Sequence, residues 1–166
     1  MMMDIISHVI CSFLGTIGFA ILFNSPSKYY LSGGLTGVAG WMMYMLLTAG
    51  FHVSSEMATF WGTFVVVLIS RMLTVRLRCP ITIFLIAGII PLVPGASVYF
   101  TAYHLMTGEL SLAVADGMTA VKLAFAIVLG IVFVVAIPRQ FFQKGYWKQW
   151  RILSFPTKIK PLKRKS

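Results

Sequence analysis

Acidic residues are almost missing. Asp4, Glu56, Glu109 and Asp116 are the only four, set against 14 Lys and Arg and a formal net charge of +10. Charge of either sign is scarce, at 11% of 166 residues, while 58% of the chain is hydrophobic. A soluble domain of this size must cover itself with polar side chains, so this composition excludes one. With a mean hydropathy of +0.88, the solvent of this chain is the bilayer. Cysteine is limited to Cys11, inside an apolar run, and Cys79, directly before Pro80 among arginines. That excludes a disulfide framework and reads as two free thiols. Strand periodicity is absent, which argues against a β-barrel. Enzymatic signatures are missing too: there is no G-x-S-x-G, no H-E-x-x-H, no phosphate-cradling glycine loop and no paired carboxylates within a span, and Ser7 points to a different face from its neighbour His8. No catalytic residue, metal or cofactor is expected. The first residues, MMMDIISHVI, lack the basic leader of a signal peptide, and no small-x-small cleavage site follows, so they are expected to open a retained first span.

What is present is a series of apolar runs near the length a helix needs to cross about 30 Å of hydrocarbon. An all-α integral membrane protein with five spans is expected, over residues 5–23, 31–49, 57–74, 81–106 and 113–137, followed by a tail over 140–166. Charge placement tests this count, because cytoplasmic loops carry the Lys and Arg excess. Five spans put Lys28, Arg71, Arg76, Arg78 and the tail from Arg139 on one face, and all four acids on the other. Merging or deleting a span scrambles the partition. The N-terminus is therefore expected outside and the C-terminus in the cytoplasm. The tail KGYWKQWRILSFPTKIKPLKRKS interleaves aromatics with cations. Directly after a span, Tyr146, Trp147 and Trp150 read as an interfacial belt, and Lys144 to Lys165 as contacts to anionic lipid headgroups rather than to nucleic acid.

The fourth run is interrupted by IIPLVPG, with Pro91 and Pro94 three apart and Gly95 following. Each proline removes a donor and crowds the preceding turn, and Gly95 permits a close backbone approach. Backbone breaks at membrane depth are tolerated only where protein or a water-filled cavity surrounds them. A discontinuous helix is expected, with carbonyls ending one half and amides opening the next. Transporters use that arrangement to hold ions and anionic solutes. Ser97, Tyr99 and Tyr103 are polar handles on the second half. The competing reading is a proline kink without a ligand.

IIPLVPG with Ser97 and Tyr99, GWMMY at 40–44 and CPITIF at 79–84 resemble the threonine/serine exporter family, specifically its short membrane subunit. The resemblance runs from FNSP at 23–26 through the fifth span, with small residues at Gly117, Ala124 and Gly130. It implies a secondary exporter of small amino acids or organic acids such as succinate, in a bacterial inner membrane. It also implies a longer, separately encoded membrane subunit as partner. Where family members carry an acid before the basic loop, this chain has Ser70 and Arg71, so no role of that acid carries over.

Lys122 is the one cation in the interior of a span, away from its cytoplasmic end, where ionisable groups are expensive. It either lines the path of an anionic or zwitterionic solute, with Asp116 as a poorly aligned intrachain partner, or snorkels outward. Gly33, Gly37 and Gly40 form a packing face on the second span. Asn24 turns the chain before Pro26. His8, His52 and His104 read as interfacial hydrogen-bonding groups, with a proton relay through His8 or His104 as the alternative. The expected solute-binding set is Pro91, Pro94, Gly95, Ser97, Tyr99, Tyr103 and Lys122. The rival function is a non-transporting assembly or regulatory subunit acting through the glycine-rich second span.

Overall fold

The computed structural model describes residues 2–137, with side chains from Ile5 onward; the basic aromatic tail expected over 140–166 lies outside the described residues. Among the described residues every regular element is helical. The helices are α1 (Met2–Leu22), α2 (Tyr30–Met45), α3 (Ser55–Leu77), α4 (Thr82–Ile89), α5 (Gly95–Thr107) and α6 (Leu110–Ala136). A 3-10 turn at Ser27–Tyr29 leads into α2, and a second at Ile90–Leu92 continues α4. α1, α3 and α6 are each long and apolar enough to cross a membrane. The stretch Thr82–Leu92 and α5 reach that length only as a pair, bent by 53° at the break between them.

Local chemistry sets the ends. α1 stops where Asn24 adopts a left-handed φ of 51°, with Ser25 N–H donating back to the Ala20 carbonyl at 3.0 Å; asparagine tolerates that conformation better than most residues. α5 stops at Gly108, φ 83°, with Glu109 N–H on the His104 carbonyl at 2.9 Å, the bond of a glycine-capped helix end. α2 is shorter than the apolar run that contains it. Its last turn, Leu46–Gly50, is wound as a π turn, and there the Thr48 hydroxyl donates to the Tyr44 carbonyl at 2.9 Å. Such a side-chain bond competes with the regular ladder.

α1, α2, α3, α6 and α5 lie in sequence, each packed on the next, and α4 sits in the angle formed by α1, α2 and α3. Lipid tails are as apolar as leucine, so no hydrophobic force drives helix against helix in a bilayer and close approach must do it. Glycine marks nearly every contact. A Cβ added to Gly37 would lie 2.0 Å from Thr16 Oγ1, one on Gly40 2.2 Å from Val66 Cγ2, and one on Gly62 3.0 Å from the Gly40 carbonyl oxygen. A Cβ added to Gly88 of α4 would meet Val66 and Thr36 at 3.0 and 3.1 Å, and one on Gly130 of α6 Thr63 Cβ and the Phe60 carbonyl at 2.9 and 3.0 Å. On α2 the packing glycines are Gly34, Gly37 and Gly40. Gly33 is buried, yet a Cβ there would meet nothing within 4 Å. The reason is geometric. A spacing of three drifts backwards by roughly 60° per step on a helix of 3.6 residues per turn, so the seam passes from the side facing α1 to the side facing α3.

Several buried hydroxyls are satisfied within their own helices, as a lipid environment favours, while those of Thr63, Ser70 and Thr74 have no hydrogen-bond partner among the described residues. Thr16, Thr36 and Thr59 donate to the carbonyls of Ser12, Ser32 and Ser55 at 2.7, 2.8 and 2.7 Å. Arg71 performs the long-range version. Its Nη1 donates to the carbonyls of Val134 and, at 2.8 Å, Ile137, closing the exposed carbonyl end of α6 with a cation. Arg71→Gln is therefore expected to loosen the α3/α6 end by about 1.5–3 kcal/mol, the range for hydrogen bonds to a charged group. Hydrogen exchange should report this as lost protection over residues 130–137 with α1 unchanged.

Candidate functional site

The break is built by sequence-local geometry. Pro91 has no N–H to give the Ala87 carbonyl, so α4 tightens into Ile90–Leu92 and stops. Val93 is extended, at φ −63° and ψ 133°, as residues before proline are pushed to be. α5 restarts at Gly95. The amides are not all free: Val93 N–H donates to the Ile90 carbonyl at 3.1 Å and Gly95 N–H to the Val93 carbonyl at 2.7 Å. Ala96 and Ser97 are then the first-turn amides for which helix geometry supplies no carbonyl. Gly95 does not serve a close approach, since a Cβ there would meet nothing within 4 Å.

The break is anchored at half height in the bundle. Leu92 is 6% exposed and inserts between α2 and α3, where an added Cβ on Gly62 would be 3.1 Å from it and one on Gly40 3.5 Å. Gly40 stands midway along Tyr30–Gly50, and Val66, beside it, midway along α3. On the opposite side of the break, His8, Cys11, Ser12 and Gly15 of α1 and Trp41 of α2 join Ile90 and Pro91 around a cavity of about 220 Å³. Ser12 is the midpoint of α1. The His8 and Trp41 rings are 6.0 Å apart, and Trp41 stacks on Tyr44 at 5.2 Å. A second cavity of about 150 Å³ lies at the beginning of α4, lined by Phe23, Asn24, Ser25 and Pro26 with Thr82, Ile83, Ile86 and Ala87.

The expected site residues separate into two groups. Pro91 faces the cavity with His8 and Trp41. The others lie on the α5/α6 side. Ser97 is half-buried and accepts, through its carbonyl, a bond from Thr101 Oγ1 at 2.6 Å. Tyr99 and Tyr103 stack at 6.4 Å on the outward face of α5, 64% and 51% exposed, and α5 has no buried residue. Lys122 is exposed on α6. Thr101 packs by Gly117, and His104 Nδ1 is 2.9 Å from Asp116 Oδ2. Extending that antiparallel register puts Lys122 level with the first turn of α5. Asp116 thus belongs to His104, which also has Glu109 at 3.9 Å, and not to Lys122, whose helical spacing from it is unfavourable. His8, Ser12 and Trp41 were missed as cavity residues. Nothing in the spacing along α1 and α2 reveals that both faces meet the break, because that depends on where Leu92 wedges.

A glycine-knit bundle with three membrane-length helices and a bent pair carrying a break at half height defines a multi-span α-helical membrane protein. The family described as Threonine/Serine exporter, ThrE matches residues 8–137. The chain belongs to this transporter family, and the match takes in every helix from the second turn of α1 to the end of α6. Neither the curated proteins nor the solved structures gave a match.

Proposed function

We propose that this chain is a solute-handling membrane subunit of a secondary exporter for small amino acids or organic acids, working with a longer membrane subunit of the same family. Five spans carry it: α1, α2 with its π turn, α3, the bent pair α4 and α5, and α6, with the acids outside and the cations toward the cytoplasm. Tyr30–Gly50 supports this count, since it extends about 30 Å at 1.5 Å per residue. One observation carries the functional reading. The interruption at Pro91–Pro94 is seated at half height by Leu92 and adjoins a cavity rather than a closed wall, the surroundings in which a broken helix serves a ligand. The open first turn of α5 and Lys122 at the same level would receive a carboxylate. Tyr99 and Tyr103, on the outward face of α5, are assigned to the surface met by the partner subunit or the solute.

Gly95→Leu and Lys122→Ala test this, because both positions have room: nothing stands within 4 Å of an added Gly95 Cβ, and Lys122 is exposed. Both variants are expected to insert and purify as wild type and to lose threonine or succinate efflux from loaded cells. Normal efflux by both removes the α5/α6 side from the site. Full efflux by the partner subunit without this chain favours the assembly-subunit reading.

A further inference from the structure

We infer that solute reaches the break along the seam between α1 and α4, with the two cavities as successive stations on one path; this rests on the exporter reading. Both cavities are lined by the same face of α4. Thr82, Ile83, Ile86 and Ala87 border the first, and Ile90 and Pro91, one turn further on, border the second. The barrier between them on α4 is therefore about 5 Å thick, one helical turn. Ala87, on the wall of the first cavity, is also the residue whose carbonyl Pro91 cannot serve.

The α1 side of the seam shows the same vacancy. Gly34, Gly37, Gly40, Gly62, Gly88 and Gly130 are each demanded by a neighbour in the bundle, whereas a Cβ added to Gly15 or Gly18 would meet nothing within 4 Å. Each such glycine costs a helix about 1 kcal/mol relative to alanine, and among the described residues no neighbour requires it. Gly15 borders the cavity at the break, and Gly18 lies one turn nearer the other. The polar groups also fall at the two stations: Asn24, Ser25 and Thr82 at one, and His8, Ser12 and Trp41 at the other, each station lined by isoleucine as well. Imidazole and indole N–H groups suit a carboxylate, and the Ser12 hydroxyl, which donates to the Val9 carbonyl at 3.1 Å, keeps lone pairs for an ammonium or hydroxyl. The open-sided hollow at the break, about 220 Å³, is far roomier than the roughly 10–15 Å³ that one water needs, so a small solute can enter it.

Cys11 lines that cavity and is a built-in reporter, because thiols react as thiolates and so need water. In membranes carrying the Cys79→Ser chain, a membrane-impermeant cationic methanethiosulfonate is expected to modify Cys11, and saturating threonine to slow the reaction several-fold. Gly15→Leu and Gly18→Leu begin at positions where an added Cβ meets nothing within 4 Å, and are expected to leave purification yield unchanged while abolishing efflux. A Cys11 that reacts only with a lipophilic maleimide overturns the path, since the seam then faces acyl chains. Labelling that threonine does not slow, together with normal efflux from both leucine variants, also overturns it while the exporter reading stands. Absence of wild-type efflux of any solute tested overturns the exporter reading, and Cys11 labelling still reports separately whether the seam holds water.

Discussion

Gly40→Leu is expected to prevent assembly of the bundle. The first added carbon already falls 2.2 Å from Val66 Cγ2, 3.3 Å from the Gly62 carbonyl and 3.5 Å from Leu92 Cδ1. Val66 is fully buried and β-branched, so its rotamer cannot turn away cheaply. Gly62 presents backbone, and its own added Cβ would lie 3.0 Å from the Gly40 carbonyl. Relief therefore means separating α2 from α3 along the seam that also holds Leu92. Ordinary overpacking costs 1–3 kcal/mol, and a leucine with three further carbons at a backbone contact should reach or exceed the top of that range. Folded proteins hold only about 5–15 kcal/mol in all. Fluorescence-detected size exclusion in mild detergent should show aggregated or absent protein, whereas Gly33→Leu, where a Cβ meets nothing, should elute as wild type. Equal behaviour of the two variants would show that the seam does not hold the helices together.

Pro91→Ala/Pro94→Ala is expected to leave the chain inserted and to abolish efflux. Alanine restores both missing donors and removes two rings that each disfavour a continuous helix by about 3 kcal/mol. The extended Val93 and the non-helical Pro94 would then wind up, and the 53° bend between Thr82–Leu92 and α5 would straighten. Leu92 would leave its seat between Gly40 and Gly62, and the wall that Pro91 gives to the cavity beside His8 and Trp41 would be lost. Oriented infrared dichroism or hydrogen exchange should detect the new helical turn at 91–95. Efflux equal to wild type from a straightened segment would leave the prolines as a kink without a ligand.

The sequence made much of this visible for reasons that differ from element to element. α1, α3 and α6 are legible because lipid demands long apolar runs, and the interruption because proline cannot donate to a helix wherever it is placed. The pairing of Gly37 with Thr16 and of Gly40 with Val66 is half legible: small residues announce a contact but not the partner, and a reading by helical period chose Gly33 where the drift of the seam selects Gly34. The surroundings of the break were not legible. His8, Ser12 and Trp41 come from two helices whose azimuths are set by Phe13 against Gly34 and Leu92 against Gly40, contacts that no local pattern encodes. The sequence offers Asp116 only as a poorly aligned neighbour of Lys122 on one helix, because proximity along the chain is all that it contains; the turn at Gly108 brings His104 to Asp116 instead.

α6 has 27 residues and α1 has 21, which correspond to about 40 and 32 Å of rod beside a hydrocarbon layer of about 30 Å. On the proposed topology Asp116 stands outside, so the first turns of α6 rise beyond the hydrocarbon and the stretch from Asp116 to Ala136, about 32 Å, matches α1. The hairpin of α5 and α6 is then a short mast in the outer water, its tip formed by His104 with Asp116 and Glu109 and its root at the break.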